Sequence, residues 1–251
     1  MNIIIQKNIT ITNPAQWLLA APPQKGIQQW KDRYSAKELA KYITQNANGF
    51  NALIKDIIKD TFGSKCSDQQ LIGEPERITN LPPKESKGPR CHDLFLSNSH
   101  VVIGVEAKVN ETFDNELYKE NTTENKKIRV EWLTKTILSK HYDELDDNEK
   151  TLRYQLFTAT AGTLLEAKQQ KRCIVLVLSF RDVSAPINTK NDDDFKNFVS
   201  RVCGEGRTHK VFTIDAQKID CHFVKKEITF TTENNIEPTS DDMPPTSPSQ
   251  D

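Results

Sequence analysis

The sequence predicts one domain of mixed α/β class, and two observations carry this prediction. The first is a continuous apolar run, RCIVLVLSF at 172–180, which is rich in β-branched residues and leucine. Such a run is typical of a central strand that is buried on both faces. The second is the order of elements along the chain, namely helices, a hairpin, a helix, a strand, a helix and two late strands, which suits a sheet covered by helices.

The N-terminal part of the chain reads as a short strand, IIIQKNITI, followed by two helices. Ser35 and Glu38 have the spacing of a capping box, which predicts that a helix begins at Ser35. Beyond Gly49, apolar residues recur at helical spacing as far as Phe62, so we expect a second helix or a kinked continuation of the first. Residues 63–90 are rich in Gly, Pro, Ser and charge, and we expect a loop there.

The central part contains a predicted β-hairpin. Two strand candidates, HDLFLS and VVIGVEAKV, are separated only by NSH, which suits a tight turn. A helix with Ile128, Trp132, Leu133, Ile137 and Leu138 on its apolar face should follow. The segment TLRYQLFTATAGTLLEAKQQ is apolar on most sides and predicts a helix that packs on two faces.

The C-terminal part completes the predicted domain. A helix with acids at its start should end at Gly204. The segments KVFTIDA and CHFVKKEITF read as late strands. We therefore expect a single domain over 1–231, with the N-terminal strand and helices in 1–62 and the core in 88–204. By composition, 232–251 is expected to be a disordered acidic tail.

Charge separates the body of the chain from its tail. The 34 Lys and Arg nearly balance the 35 Asp and Glu, so the formal net charge is −1. All of the basic residues precede position 232 and five of the acids follow it, which leaves the body at +4 and the tail at −5. The body is therefore mildly basic, and well short of a strongly basic nucleic-acid binder.

Three features predict a cytoplasmic protein that has no membrane partner. The longest apolar run, CIVLVL, is too short to span a bilayer. The N-terminus has no basic segment followed by a long apolar run, so a signal peptide is not expected. The cysteines are odd in number and scattered, which indicates free thiols in a reducing compartment. They are Cys66, Cys91, Cys173, Cys203 and Cys221.

Two charges, Glu106 and Lys108, stand in the apolar strand VVIGVEAKV. Because successive side chains of a strand point to opposite faces, these two share one face, and the hairpin partner can bring Asp93 beside Glu106. Two carboxylates and the backbone carbonyl of Ala107 make an all-oxygen site that suits Mg²⁺. Lys108 could then activate a metal-bound water or neutralise charge on a phosphate.

The same tripeptide occurs again at Glu166–Ala167–Lys168, inside a predicted helix. On a helix, residues i and i+2 do not face each other, so this copy cannot build the same site. We expect it to be a solvated helix end, where Lys168 is favoured by the helix dipole.

The spacing from Asp93 to Glu106 and Lys108 within a hairpin resembles the PD-(D/E)XK nuclease superfamily. The segments WKDRYSAKELA, DLF, VEAKVNETF and LRYQLFTATAGTLLEA, followed by an apolar strand ending in LSF, extend the match to an uncharacterised bacterial family of that superfamily. The resemblance covers roughly residues 30–204. It implies a restriction-endonuclease-like fold, in which helices flank a mixed central sheet.

The resemblance also implies roles for particular residues. Asp93 and Glu106 would bind Mg²⁺, with Mn²⁺ as an alternative, and Lys108 would be catalytic. His92 stands where the superfamily's name-giving proline would be, outside this triad. Many members add an acid from an early helix, for which Glu38 or, less favourably, Glu74 is the candidate. A polar residue from the helix after the core strands would be Gln155 or Arg153.

The function that this resemblance implies is hydrolysis of nucleic-acid phosphodiester bonds, with DNA favoured over RNA as the partner, in bacterial or phage defence. Lys126, Lys127 and Arg129 are candidates for phosphate contacts, although a solvated helix face would carry the same residues. Two alternatives remain open at this point. The three polar groups of the hairpin could be a structural ion pair, and the chain could be a non-catalytic interaction or regulatory module built on the same fold.

Overall fold

A six-stranded mixed sheet lies at the centre of the structure, a computed structural model that describes residues 5–6, 9–23, 26–83, 88–109, 111–183 and 189–230. The strands are β1 (Ile5–Gln6), β2 (Ile9–Thr10), β3 (Ile72–Thr79), β4 (Arg90–Ser97), β5 (Val102–Val109), β6 (Arg172–Asp182), β7 (His209–Ile214) and β8 (Gln217–Phe230). The helices are α1 (Pro14–Ala20), α2 (Ser35–Gln45), α3 (Ala47–Phe62), α4 (Ser64–Ser67), α5 (Leu117–Glu120), α6 (Glu124–Leu138), α7 (Asp147–Lys150), α8 (Tyr154–Glu166) and α9 (Lys190–Cys203).

The strand order in this sheet is β3-β4-β5-β6-β8-β7, while β1 and β2 pair with each other. Three of the four inner strands, β5, β6 and β8, are parallel to one another, and the pairs β3–β4, β4–β5 and β7–β8 are antiparallel. The predicted class, a mixed α/β domain with helices around a central sheet, is therefore confirmed. The tail predicted for 232–251 lies outside the described residues.

Two apolar cores lie on opposite faces of the sheet. On one face, α6, α8 and α9 pack against the strands through residues such as Leu133, Phe157 and Phe198. On the other face, α1, α2 and α3 supply residues such as Trp17 and Leu39. Every residue of β5 is buried, as expected for a strand that is covered on both sides. None of the helices in the described part of the chain is long and apolar enough to cross a membrane.

The predicted hairpin is confirmed as β4, β5 and the turn between them. The Asn98 side-chain oxygen accepts hydrogen bonds from the backbone N–H groups of His100 and Val101, at 2.8 and 2.9 Å. A short polar side chain that bonds to the backbone just after it is a common way to hold a tight turn. The buried strand β6, the helix α9 that ends before Gly204, and both late strands are also where the sequence predicts them.

The loop predicted over 63–90 is wrong in part, because this segment contains the short helix α4 and the strand β3. Strand β3 escaped prediction because it carries Pro75 and several charges. It is an edge strand with only one neighbour in the sheet, and an edge tolerates a proline that a central strand would not.

Two local helix predictions also need correction. Helix α2 does begin at Ser35, but its N-cap is Tyr34 and no side chain caps it, so the expected capping box is not formed. On α6 the buried residues include Val130, Leu133 and Ile137, whereas Ile128 is 44% exposed. Tertiary packing selects a face of this helix that its weakly amphipathic sequence does not specify.

Helix α8 lies very close to strand β5, at the one position where that strand has a glycine. A β-carbon on Gly104 would be 2.1 Å from Thr163 Oγ1 and 3.2 Å from His92 Nδ1. The absence of a side chain at Gly104 therefore sets how near α8 comes to the sheet. This matters for the site, because α8 also carries Gln155.

We predict that Gly104→Ala lowers the free energy of unfolding by about 1–3 kcal/mol, the usual cost of overpacking a core. Thr163→Ala should recover part of that loss in the double variant, because it removes the nearest obstructing atom. Gly88→Ala is the matched control, since a β-carbon there would meet nothing within 4 Å. Urea denaturation of the four proteins tests this, and equal stability of Gly104→Ala and wild type would contradict it.

Candidate functional site

The candidate site lies where β4 separates from β5. The antiparallel pairing of the two strands stops at Leu94 and Val105, whereas β5 continues alongside β6 as far as Val109. Beyond Val105, the edge of β5 that faced β4 is therefore open. The Asp93 carboxylate fills part of the gap, where Oδ2 accepts a hydrogen bond from the Ala107 N–H at 2.7 Å.

A cavity of about 570 Å³ opens at this fork. Residues from both helical layers and from the sheet line it. The sheet contributes Glu76, Arg90, Asp93, Glu106 and Lys108, helix α8 contributes Tyr154, Gln155 and Thr158, and Tyr34, Ser35 and Ala36 reach it from the start of α2. A volume of this size is within the range of ordinary ligand-binding pockets.

Glu106 is the most buried charged group of the site, with a side chain only 2% exposed. Its Oε1 atom accepts hydrogen bonds from Lys108 Nζ at 2.8 Å and from Gln155 Nε2. Its Oε2 atom forms an ion pair with Arg90 Nη2. Buried charges persist only when they are paired and hydrogen-bonded, and Glu106 meets both conditions.

Lys108 contacts Glu106 as strand alternation predicts, since both side chains project from the same face of β5. The Lys108 side chain is 7% exposed, and its ammonium lies 5.5 Å from the centre of the Phe113 ring. Burial acts to lower the pKa of Lys108, but the Glu106 and Asp93 charges outweigh it, so this pKa lies above its ordinary value. Lys108 is therefore a fixed cation at neutral pH.

Gln155 reaches the site from the first turn of α8. Besides the bond to Glu106, its Oε1 atom accepts a hydrogen bond from the Asp114 N–H at 3.2 Å. The amide thus joins β5 to the loop that follows it. Of the two candidates on the helix after the core strands, Gln155 is brought to Glu106, whereas Arg153 pairs with Glu116 and Asp194.

The two carboxylates of the site have opposite pKa shifts. Burial and the neighbouring Glu106 charge raise the pKa of Asp93 to about 8. Burial also acts to raise the pKa of Glu106, but Arg90 and Lys108 more than offset it, so that pKa is lowered. Asp93 and Glu106 are close enough to repel, and Glu106 takes the larger share of the available counter-charge.

Two residues of the site escaped the sequence analysis, Arg90 and Glu76. Both lie in the segment that was expected to be a loop. Glu76 has a positive backbone φ of 50° in the middle of β3, which is uncommon for a residue other than glycine. Burial raises its pKa to about 7, and its Oε2 atom accepts a hydrogen bond from the Cys91 thiol. The charge of these residues was visible in the sequence, but their position next to Glu106 depends on the pairing of β3 with β4.

The acids proposed from an early segment are not part of the site. Glu38 is buried on α2, where its Oε1 atom accepts bonds from the Arg33 N–H and from Lys41 Nζ. Glu74 is paired with Arg77 at 2.6 Å. Neither residue lines the cavity, so the structure does not bring Glu38 or Glu74 together with Asp93 and Glu106.

The three basic residues of α6 do not form one phosphate-binding surface. Arg129 is buried and donates hydrogen bonds to the carbonyl oxygens of Leu81 and Pro83, at 3.0 and 3.3 Å. Lys126 pairs with Glu120 at 2.9 Å, and Lys127 is exposed. Arg129 thus fixes the loop before β4, and it also lines the cavity at the fork.

His92 lies on the α8 side of the sheet, contrary to the simple alternation from Asp93. The register of β3 and β4 lacks only the Glu76–Asp93 pair, and this irregularity turns His92 beneath α8, with its ring centre 5.7 Å from that of Phe95. Burial lowers the pKa of His92 to about 3, so the ring is neutral. His92 does not line the cavity.

The second Glu-Ala-Lys copy lies apart from the cavity, at the end of α8. Glu166 is not simply solvated, because it accepts hydrogen bonds from Thr79 Oγ1 at 2.8 Å and from Arg77 Nη2 at 3.2 Å. Lys168 forms a surface ion pair with Asp215. This copy therefore ties α8 to β3, and only the copy on β5 contributes to the site.

The donor set at the fork fits a hard divalent cation. In a strand, the N–H and C=O of one residue point to the same edge, so the Ala107 carbonyl faces the edge at which Asp93 lies. Two carboxylates and a carbonyl are oxygen ligands of the kind that Mg²⁺ takes, with waters in its other positions. A divalent ion would have to share Glu106 with Arg90, Lys108 and Gln155, or displace one of them. Among the described residues there is no group of three or more His, Cys, Asp or Glu that could hold a metal ion.

Comparison with known proteins places the chain in a family. The model of the family described as "Domain of unknown function (DUF6946)" matches residues 10–228, and the chain therefore belongs to that family. No curated protein and no solved structure matches it. The family has no assigned function, so the chemistry of the site has to be argued from its residues.

We predict that Asp93→Asn stabilises the metal-free protein increasingly as the pH rises. The pKa of Asp93 is about 8 in the folded chain, against 3.8 when it is unperturbed. In the wild-type protein, protonated Asp93 therefore contributes its full share to the free energy of unfolding below about pH 4, and this contribution is lost as the pH rises through 8. Asparagine cannot ionise and still accepts the Ala107 N–H.

Urea denaturation in EDTA at pH 5 and pH 8 measures this effect. The advantage of Asp93→Asn over wild type should grow by at least about 1 kcal/mol between the two pH values, since one unit of pKa shift corresponds to about 1.4 kcal/mol. A difference that does not change with pH would contradict the electrostatic account of Asp93.

Proposed function

We propose that this member of the DUF6946 family is a Mg²⁺-dependent nuclease of restriction-endonuclease-like fold, which hydrolyses phosphodiester bonds in nucleic acid. Mn²⁺ is expected to substitute for Mg²⁺, and DNA is the favoured substrate over RNA. The fold assignment rests on the sequence resemblance, together with a mixed six-stranded sheet that has helices on both faces.

One observation carries the proposal, the convergence of Asp93, Glu106 and Lys108 at an open strand edge inside a cavity. The Ala107 N–H joins the Asp93 carboxylate to β5, and the Glu106 carboxylate bonds Lys108 at 2.8 Å. All three side chains line the same cavity. A carboxylate whose ionised form is disfavoured by burial and by a neighbouring carboxylate, as at Asp93, is typical of a site that is completed by a cation.

Each residue of the site has its own role in the proposed reaction. Asp93, Glu106 and the Ala107 carbonyl would hold the divalent ion, which when bound supplies Lewis-acid chemistry at a phosphate and at a water. Lys108 is a cation fixed beside Glu106, placed to orient the attacking water or to offset charge that builds up on the phosphate oxygens. Gln155 holds Glu106 in position and connects it to the loop after β5.

A second candidate function is a non-catalytic interaction or regulatory module. The observation in its favour is that both oxygens of Glu106 already have partners, namely Arg90, Lys108 and Gln155. A cluster of this kind can serve as a structural ion-pair network without any metal. The weak net charge of the chain also favours the non-catalytic module, since nucleic-acid binders usually carry more positive charge.

We predict that the wild-type protein cleaves nucleic acid in Mg²⁺ or Mn²⁺ and loses this activity in EDTA. Lys108→Ala should lower the cleavage rate by about 100-fold or more, the usual contribution of a positioned proton-transfer or charge-stabilising group. The assay uses mixed single- and double-stranded DNA and RNA at equal concentrations, with gel analysis of the products.

Lys168→Ala is the matched control, because it changes the lysine of the other Glu-Ala-Lys copy, which pairs with Asp215 at the surface. That variant should cleave at the wild-type rate. Cleavage that persists in EDTA, or that is equal in Lys108→Ala, would rule out the proposed mechanism. If the folded wild type cleaves none of the substrates, the interaction module becomes the better account.

A further inference from the structure

Arg90 is a cation of the site that neither the hairpin pattern nor the resemblance predicts. Its side chain is 10% exposed and pairs with Glu106, whose side chain is 2% exposed. Arg90 begins β4 and is paired with Thr79 of β3, so its side chain crosses the fork to reach β5. Breaking a buried pair of this kind leaves an uncompensated charge unless another ion replaces the lost partner.

Arg90 and Lys108 hold Glu106 in different ways. Lys108 is two residues away on the same strand, and strand geometry keeps the two side chains together. Arg90 comes from another strand, at the point where the two strands are no longer paired. Its Nε–H has no hydrogen-bond partner in the part of the chain that the structure describes, so the guanidinium uses only part of its donor capacity.

When both carboxylates are ionised, as binding of a cation requires, the two positive charges of Arg90 and Lys108 already balance the two negative charges of Asp93 and Glu106. A divalent cation at Asp93 and Glu106 would add two positive charges in a buried site, where repulsion between like charges is much stronger than in water. Arg90 is the cation that can leave Glu106, because β4 and β5 are no longer paired where Arg90 and Glu106 stand.

We propose that Arg90 is a displaceable internal counter-ion, which occupies Glu106 in the metal-free protein and moves to a substrate phosphodiester when a divalent cation binds. This inference rests on the proposed function. A freed guanidinium in this cavity has the planar donor fork that suits a phosphate and carries the charge that a phosphodiester would neutralise. Metal and nucleic acid would therefore each strengthen the binding of the other, since binding couplings are reciprocal.

Direct titration with Mn²⁺, followed by the electron paramagnetic resonance signal of the free ion, tests the proposal without measuring cleavage. In the absence of nucleic acid, Arg90→Met should bind Mn²⁺ about tenfold or more tightly than wild type, because a competing buried charge is gone. Arg77→Met is the matched control. It also removes an arginine from this sheet, but one that pairs with Glu74 and Glu166 outside the cavity, so its Mn²⁺ affinity should equal that of wild type.

A second arm adds a single-stranded oligonucleotide with phosphorothioate linkages, which resist cleavage. The oligonucleotide should raise the Mn²⁺ affinity of wild type, and it should have no such effect on Arg90→Met. Arg90→Lys keeps the charge but lacks the planar fork. It should therefore bind Mn²⁺ as weakly as wild type and lose most of the coupling to the oligonucleotide. This variant also keeps the proposal testable if Arg90→Met does not fold, which near-UV circular dichroism will show.

The outcomes separate this inference from the function on which it rests. If wild type binds Mn²⁺ and folded Arg90→Met binds it equally or more weakly, Arg90 is a structural partner of Glu106 and the inference is overturned, while the metal site stands. If Arg90→Lys retains the full coupling to the oligonucleotide, the phosphodiester role of Arg90 is overturned. If neither wild type nor any variant binds Mn²⁺ with or without the oligonucleotide, the proposed nuclease function falls as well.

Discussion

Burial of the Glu106 carboxylate is the constraint on which the rest of this site depends. Glu106 stands in a strand that is apolar apart from Glu106 and Lys108 and is covered on both faces, so its charge must be balanced by neighbours rather than by water. Lys108 does so from the same strand, Arg90 from the next strand, and Gln155 from the helix above. Glu106 therefore fixes the positions of all three partners. Its contacts bring β5, β4 and α8 together around one cavity.

The separation of β4 from β5 leaves the side chains around Glu106 open to a cavity. Strands β4 and β5 are paired near their turn and separate at Asp93, which leaves a carboxylate and a run of backbone groups facing an open edge. On the opposite side of β5, continuous parallel pairing with β6 holds the strand rigid. A rigid strand with one open edge can present the Asp93 and Glu106 side chains and the Ala107 carbonyl to an ion, while the surrounding cores keep those groups in place.

Much of this arrangement could be predicted from the sequence, because the signals were local. The hairpin follows from two apolar segments around a polar turn, and the shared face of Glu106 and Lys108 follows from strand alternation. Strand β3 could not be predicted, since a proline and several charges conceal an edge strand. Arg90 and Glu76 were missed with it, because only the pairing of β3 with β4 brings them to Glu106. The contacts of Arg129 could not be predicted either, because its guanidinium donates hydrogen bonds to backbone carbonyls of a loop that is distant in the sequence.

Asp93, Glu106 and the Ala107 carbonyl are proposed to bind a divalent cation together. The most direct test is anomalous diffraction from crystals of the wild-type protein soaked in Mn²⁺, compared with crystals of Asp93→Asn treated in the same way. The account predicts an anomalous peak about 2.0–2.3 Å from oxygen atoms of all three residues in wild type, close to typical distances for small divalent cations, and no peak there in the variant. A wild-type cavity that holds no manganese at a concentration well above physiological levels, with Arg90 still paired to Glu106, would contradict it.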